Sequence, residues 1–589
     1  MCGIFGYYDR HSVSMPVEQL VQMGRVIEHR GPDDQGIYQQ KGLALGNQRL
    51  SIIDIAHGHQ PFVSDDGQIV LVQNGEIFNH LELAEELKNT PFACRTHSDT
   101  EVLLRLYEKE GIGFLSRLNG MFAIAIWDAR QQSLYLIRDR LGVKPLFVAD
   151  DGQRLLFGSE IKSILAGGWP ARPNYEALDN YFSLNYVAPP QTAFLGVKHV
   201  MAGHYLRLTP HKVESVCWWD LAHIEQEERS ESSWTEEFLS LLDDAVRLRL
   251  RSDVPVGAFL SGGVDSSTIV GLMAKHMDYP LKTFCIGFND PRFDESAFAA
   301  QAASRFGTTH IMERVDADML STWSKTIYHC DQPHGDVSFM PTLRVAELAA
   351  KHLKVVLTGD GGDELFAGYE KYQSFFANPS VFDLSDSEFQ RRYMASTGLL
   401  SLAQKQQLYR GQLASFATTQ GEDITAPWFK KVQHWDRINQ ALYIDTMLLL
   451  PGNNLVKPDR MGMAVSLEAR TPFLDYRMVE FAFKIPGHLK LKNGETKYIF
   501  KKAVRELIGD ELAYRKKQMF TVPVGEWMKN KENNSLYDLF QDVLPYIDDC
   551  IEKEALRLLW QQHADGLINA TREIRACLAL GLWRKAFDV

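Results

Sequence analysis

Residues 254–288 read VPVGAFLSGGVDSSTIVGLMAKHMDYPLKTFCIGF, and the order of residue types in this stretch decides the fold of the second half of the chain. PVGAFL is an apolar run that predicts a buried strand, SGGVDSS a loop, Thr268 to His276 a helix and KTFCIGF the next strand. Ser296 to Phe306 reads as a further helix, and Lys354 to Thr358 as a strand that ends in the turn-rich GDGGDE. Strand and helix in alternation imply a parallel sheet covered on both faces. Trp234 to Arg251 gives a long helical pattern ahead of this unit, and from about residue 372 onward the chain reads as mostly helical.

The first half has a different grammar. Short β-rich segments (GIFGYY, LALGNQRLSIID, QIVLVQNGEIF, MFAIAIWD, SLYLIRD, LLFGS) alternate with turns, and helices are expected at Val17 to Ile27, His80 to Lys88 and Asp99 to Glu110, the last capped by Ser98. This predicts two layers of sheet covered by helices. The polar stretch Glu225 to Ser233 is the best linker, so domains are expected at 1–215 and 236–589 with 216–235 between them.

At 589 residues the chain is too long for one core. Its 45% hydrophobic and 23% charged content is that of a soluble globular protein, and a net charge of −12 argues against a nucleic-acid partner. The seven cysteines are odd in number and lack a CxxC pair, which points away from a disulfide framework or zinc site and toward a reducing compartment. Apolar runs such as Met121 to Trp127 and Ala576 to Trp583 fall well short of the ~18 residues that span a bilayer, so no membrane partner is expected. The start, MCGIFGYYDRH, lacks a basic n-region and carries Asp9, so it does not read as a secretory signal, and a cytoplasmic address is expected.

Removal of Met1 would leave Cys2 with both a thiol and a free α-amine, a nucleophile and a base on one residue. Behind it stand HRGPD (His29 to Asp33), RLSIID (Arg49 to Asp54), NGEIFN (Asn74 to Asn79) and SDTE (Ser98 to Glu101). In isolation NG before an aromatic is a hairpin turn, and Arg49 or Asp99 a surface ion pair or helix cap. Together, in this order, they resemble the glutaminase domain of class II glutamine amidotransferases. The resemblance implies an N-terminal-nucleophile αββα sandwich, with Cys2 attacking the glutamine side-chain amide and Asn74 with the Gly75 backbone forming the oxyanion hole. It gives Arg49 the α-carboxylate, and Glu76 with Asp99 the α-ammonium. His29 reads as a structural histidine.

SGGVDSS between a strand and a helix is built to receive an anion, because glycines let backbone N–H groups approach it and the helix N-terminus favours negative charge. It lacks the GK[ST] ending of a Walker loop and resembles the pyrophosphate loop of enzymes that split ATP into AMP and pyrophosphate. LTGDGGDELFAGY gathers Asp360, Asp363, Glu364 and Tyr369, and close carboxylates call for a cation or donors. With DRMGMAVSLEARTPFLD (Asp459 to Asp475) and YRKKQMFTVP (Tyr514 to Pro523), the chain resembles the asparagine synthetase family over nearly its whole length. That resemblance implies an α/β ATP-pyrophosphatase domain with a largely helical tail. Ser261, Gly262, Gly263, Ser266 and Ser267 would grip pyrophosphate, with Ile286, Thr358 and Gly359 around the nucleotide. Asp265 and Asp363 would hold Mg2+, Asp360 would lie beside the acyl-adenylate, and Lys517 would stabilise charge. The implied small molecules are glutamine, ATP and aspartate, with a homodimer as one admissible assembly.

The chain departs from the family where some members have Glu in place of Asp360, at Gln332 in DQPHGDVSFMP, and at Met519, where glycine is common. These positions bear on the acceptor. The alternatives are the same mechanism on another carboxylate, a sugar acid or a peptide in surface-polymer synthesis, and a non-catalytic regulatory or binding protein. Glu468 stays open between a structural partner of Arg470 and a catalytic group.

Overall fold

The computed structural model describes residues 2–315, 317–418, 420–516, 522–529 and 534–589. Twelve strands build the first unit: β1 (Cys2–Asp9), β2 (Asp34–Gln40), β3 (Leu43–Arg49), β4 (Phe62–Val63), β5 (Ile69–Ile77), β6 (Gly120–Asp128), β7 (Ser133–Arg138), β8 (Phe147–Asp150), β9 (Arg154–Gly158), β10 (Val197–His199), β11 (His204–Leu208) and β12 (Val213–Cys217). They form two six-stranded sheets, ordered β10-β8-β9-β1-β3-β2 and β12-β11-β7-β6-β5-β4, with antiparallel pairing throughout. Residues alternating along β1, β3, β5 and β6, among them Ile4, Leu45, Val72, Ala123 and Ala125, fill the space between the sheets. Helices Val17–Arg25 and Asp99–Glu110 cover the outer faces. Ser98 caps the second by accepting from the Thr100 N–H at 3.2 Å, as its sequence predicts.

In the second unit, β13 (Val256–Phe259), β14 (Lys282–Phe288), β15 (Thr309–Val315), β16 (Val355–Leu357) and β17 (Glu468–Arg470) form a sheet in the order β15-β14-β13-β16-β17. Every pair is parallel. The chain steps outward from β13 to β15 and then returns to the other side of β13, so β13 and β16 flank a topological switch point, where open α/β sheets form a crevice beyond the strand ends. SGGVDSS follows β13 and TGDGGDE follows β16, which brings the two motifs together. The helix after β13 spans Val264–His276, starting four residues before the sequence expectation and taking Asp265 and Ser266 into its first turn. β15 and β17 lie outside the expected strands. Beyond β16 the chain is mostly helical, apart from β17 and a small hairpin of Leu491–Lys492 against Glu495–Thr496. β12 runs through Cys217 and helix Glu231–Arg249 begins at Glu231, so regular structure enters both ends of 216–235. Among the described residues no helix is long and apolar enough to cross a membrane.

Candidate active sites

Cys2 opens β1 and pairs with Arg49 on β3; both are buried. Its backbone nitrogen lies 3.2 Å from Asn74 Oδ1, and its carbonyl accepts from Arg30 Nε at 3.2 Å. Burial pushes the Cys2 thiol up from its ordinary range; the Leu50 N–H and Asn47 oppose this, and Glu76 adds to it. Asn74 Nδ2 donates to Ser159 Oγ at 3.3 Å, and an amide NH2 carries a second hydrogen for another acceptor. Asn74 and Gly75 sit inside β5, opposite Ala123 and Phe122, so this Asn-Gly is no hairpin turn. A Cβ on Gly75 would stand 2.1 Å from the Met121 carbonyl oxygen, which restricts the position to glycine.

Arg49 is held by carbonyl oxygens of one loop: Ile55 from Nη1 at 3.2 Å, and Ile53 and Asp54 from Nη2 at 3.2 and 2.8 Å. Asp99 Oδ2 accepts from the Ile77 N–H at 2.9 Å and Gln73 Nε2 at 3.1 Å, which ties the start of helix Asp99–Glu110 to β5 beside Glu76. Burial, Glu468 and Asp99 drive the Glu76 carboxyl well above its ordinary range against the pull of Arg470. Cys2, Arg49, Asn74, Gly75, Glu76 and Asp99 thus surround one end of the sandwich, where a thiol, amide donors, a guanidinium and two carboxylates can meet an amino acid. His29 points elsewhere: its Nε2 is 3.2 Å from Glu160.

The second cluster lies at the switch point. Gly262 has φ +71°, and a Cβ there would stand 2.3 Å from the backbone of Phe298. Ser261 and Ser266 hydroxyls meet at 3.2 Å, whereas Ser267 is fully buried. Lys497 Nζ sits 2.5 Å from Asp265 and 2.7 Å from Asp363, and is itself 3% exposed. Gly362 and Gly368 make room for these carboxylates: a Cβ would stand 2.4 Å from Asp265 Oδ1 at the first and 1.9 Å from Asp363 Oδ1 at the second. Two carboxylates converging on one ammonium suit a divalent cation, so the pair fits Mg2+. Among the described residues no third ligating side chain joins them, and phosphate oxygens and water would complete the shell.

Thr358 Oγ1 donates to Asp360 at 2.6 Å. Burial holds the Asp360 carboxyl above its ordinary range, opposed by Thr358 and Lys457 and reinforced by Asp363 and Asp265. Glu364 accepts from Tyr369 OH at 2.6 Å and from Asn454 Nδ2, and Lys457 pairs with Asp336 at 3.0 Å. Ile286 lies buried on β14, and Gly359 packs on Asp265. Of the basic run, Arg515 donates to the Gly262 carbonyl at 2.8 Å and to Glu295 at 2.7 Å, Lys516 is exposed, and Lys517 lies outside the described residues, as does Met519. Gln332 accepts from the Ala193 N–H at 2.9 Å, at the junction of the units.

Lys497, Lys457, Asp336 and Asn454 escape sequence reasoning. Nothing in spacing separates Lys497 from Lys490, Lys492, Lys501 or Lys502, and its partner Asp265 is 232 residues away.

The clusters share a buried interface. Arg30 holds Asp459 through both terminal nitrogens at 2.9 and 3.1 Å, Lys144 reaches Asp459 at 3.4 Å, and Arg460 reaches Glu160 at 2.9 Å. A cavity of about 20 Å³, room for about one water, lies here among Arg138, His199, Gln332, Pro451 and Arg460.

Residues 1–219 match the glutamine amidotransferase domain family, and residues 237–585 match asparagine synthase. The chain is 33% identical over 614 residues, 99% of this chain and 96% of the relative, to glutamine-hydrolyzing asparagine synthetase 1 of Bacillus subtilis (strain 168). It is 33% identical over 586 residues, 90% of this chain and 89% of the relative, to a Mycobacterium tuberculosis (strain ATCC 25618 / H37Rv) protein carried as a putative glutamine-hydrolyzing asparagine synthetase. A third relative, amidase chyE of Penicillium rubens (strain ATCC 28089 / DSM 1075 / NRRL 1951 / Wisconsin 54-1255), is 30% identical over 578 residues, 87% of this chain and 85% of that one.

Proposed function

Because the chain belongs to the asparagine synthase family and is an ATP-dependent ligase with a glutamine amidotransferase domain, we propose that it makes asparagine from aspartate, glutamine and ATP. In this reading 1–215 is the glutaminase, 216–235 the connection and 236–589 the synthetase. With Met1 removed, the α-amine of residue 2 takes the thiol proton as Cys2 Sγ attacks the glutamine side-chain carbonyl. Asn74 and the Gly75 N–H stabilise the oxyanion, ammonia departs, and water hydrolyses the glutamyl thioester to glutamate. Arg49 binds the substrate α-carboxylate, and Glu76 with Asp99 its α-ammonium.

In the synthetase the aspartate side-chain carboxylate attacks the α-phosphorus of ATP and pyrophosphate leaves. Ammonia then attacks the acyl carbon of the resulting adenylate and AMP departs. Ser261, Gly262, Gly263 and Ser266 receive the phosphates, Ile286, Thr358 and Gly359 border the nucleotide, and Lys497 offsets the charge that develops. Asp265 and Asp363 would hold Mg2+, which supplies electrostatic screening of the phosphates when bound. Asp360 borders the acyl group. The free thiols, all seven cysteines, fit a reducing cytoplasm.

The carrying observation is the pairing within one chain of a buried thiol beside Asn74 and Gly75 with a switch-point carboxylate pair, the two tied by the Arg30–Asp459 contact. Ammonia is lost to protonation in bulk water, and a buried interface supports its direct passage between the sites. The test is incubation with ATP, Mg2+, glutamine and aspartate, with AMP and asparagine expected in equal amounts. Glutamine hydrolysis without asparagine would overturn aspartate as acceptor. A second reading, another carboxylate acceptor, draws on the crowding of Asp336, Asp360 and Glu364 around the cation Lys457; AMP formation stimulated by a different acid would establish it.

A further inference from the structure

Arg470 belongs to the synthetase sheet, yet one arm of its guanidinium faces the glutaminase. The residue is fully buried at the end of the edge strand β17. Its Nε donates to Glu468 at 2.5 Å, and its Nη1 donates to the carbonyls of Arg249 and Arg251 at 2.7 and 2.6 Å. All three acceptors lie in its own unit and fix the plane of the group. The remaining nitrogen, Nη2, makes no hydrogen bond among the described residues and stands 3.8 Å from Glu76 Oε2, across the unit boundary. At that separation the guanidinium favours an ionised Glu76 without hydrogen-bonding to it.

The charges around Glu76 explain why this arm matters. Asp99 approaches from helix Asp99–Glu110 and Glu468 from β17, both opposing ionisation, while Arg470 favours it. A site of this kind attracts one more cation, and an amino-acid ammonium supplies it. We propose that Arg470 is a positioning residue for glutamine: from the synthetase unit its guanidinium, 3.8 Å from Glu76, offsets the neighbouring carboxylates and keeps Glu76 in place to receive the α-ammonium, so that the glutamine site is assembled from both units. This rests on the glutaminase reading given above.

Two full-length variants test it, with glutamate release from glutamine and ammonium-driven AMP formation measured across pH. Arg470→Met removes the charge, and the KM for glutamine is expected to rise about tenfold with kcat little changed, the signature of lost substrate binding. Protonation of Glu76 weakens ammonium binding, and without Arg470 its carboxyl titrates higher still; the acidic limb of kcat/KM for glutamine therefore moves to higher pH. Arg470→Lys retains a charge with a freer geometry and is expected to raise KM about threefold with a smaller movement of the limb. Ammonium-driven synthesis should stay within about twofold of wild type in both variants, because the Arg470 side chain touches none of the residues placed at the phosphate and nucleotide site.

An unchanged KM and pH profile in Arg470→Lys and Arg470→Met would overturn the inference. So would a parallel fall in ammonium-driven synthesis, which would make Arg470 a support for β17 alone. If Arg470→Met does not fold, Arg470→Lys decides between these results. A wild-type protein that releases no glutamate would instead defeat the glutaminase reading beneath the inference.

Discussion

Lys497→Met removes the ammonium between Asp265 and Asp363 while keeping most of the side chain's bulk. At the 2.5 and 2.7 Å seen to the two carboxylates, each attraction is about 6 kcal/mol at an effective dielectric of about 20, before desolvation of the lysine is subtracted. Loss of one partner from a buried pair costs about 3 to 5 kcal/mol. The carboxylates are 19% and 18% exposed, and water screens part of what remains. A destabilisation of about 2 kcal/mol is therefore expected in metal-free buffer. Mg2+ should recover more stability in the variant than in wild type, because the bare carboxylate pair then binds it without competition from the lysine. Equilibrium denaturation with and without Mg2+ measures this. In parallel, pyrophosphate release with ammonium as the nitrogen source should fall about a hundredfold, the usual cost of removing a group that stabilises developing charge. Unchanged pyrophosphate release, or a stability loss that Mg2+ leaves untouched, would refute the placement of Lys497 at the phosphate and metal site.

Cys2→Ala should abolish glutamine-dependent synthesis and leave ammonium-dependent synthesis close to wild type, read by following AMP with each nitrogen donor. Asp459→Asn keeps the volume of the side chain but strips a carboxylate from Arg30 and Lys144. Unfolding should be easier by about 3 kcal/mol, and an unchanged denaturation midpoint would contradict the view that this ion group ties the units together. The carboxyl of Asp459 is raised by burial but drawn lower still by Arg30 and Lys144, to a net position below its ordinary range. The stabilisation it provides is therefore present above the unfolded carboxylate pKa of about 3.9 and lost as pH falls through the lower folded value. The gap between wild type and Asp459→Asn should be constant from pH 5 to neutrality and close at lower pH, by chemical denaturation at each pH.

What the sequence makes legible is local. SGGVDSS and GDGGDE each run from a short loop into the first turn of a helix beyond β13 and β16, and HRGPD and NGEIFN likewise keep their chemistry within a few residues, so composition and order suffice to find them. KTFCIGF is recovered to the residue as β14 because it is apolar and bounded by turns. β15, THIMERV, is an edge strand with only Val315 buried and shows no clean alternation. β17 is the three residues Glu-Ala-Arg, whose charged members are buried by pairing with each other, which inverts the usual sign of burial. Asn74-Gly75, a turn dipeptide in isolation, lies in mid-strand as the run QIVLVQNGEIF predicts, and a Cβ on Gly75 has no room there. Lys497 meets Asp265 across 232 residues within its own unit, and Arg470 meets Glu76 only where the two units pack, so no local pattern announces either contact.

The central claim is that ammonia made at Cys2 is used at the adenylate site of the same chain. The direct measurement supplies glutamine labelled with 15N in its side-chain amide, ATP, Mg2+ and aspartate, in the presence of excess unlabelled ammonium at a pH where little of it is neutral. Asparagine carrying the label in its side-chain amide, formed in step with AMP and glutamate, is the predicted result. Glutamate and AMP appearing without labelled asparagine would contradict the account.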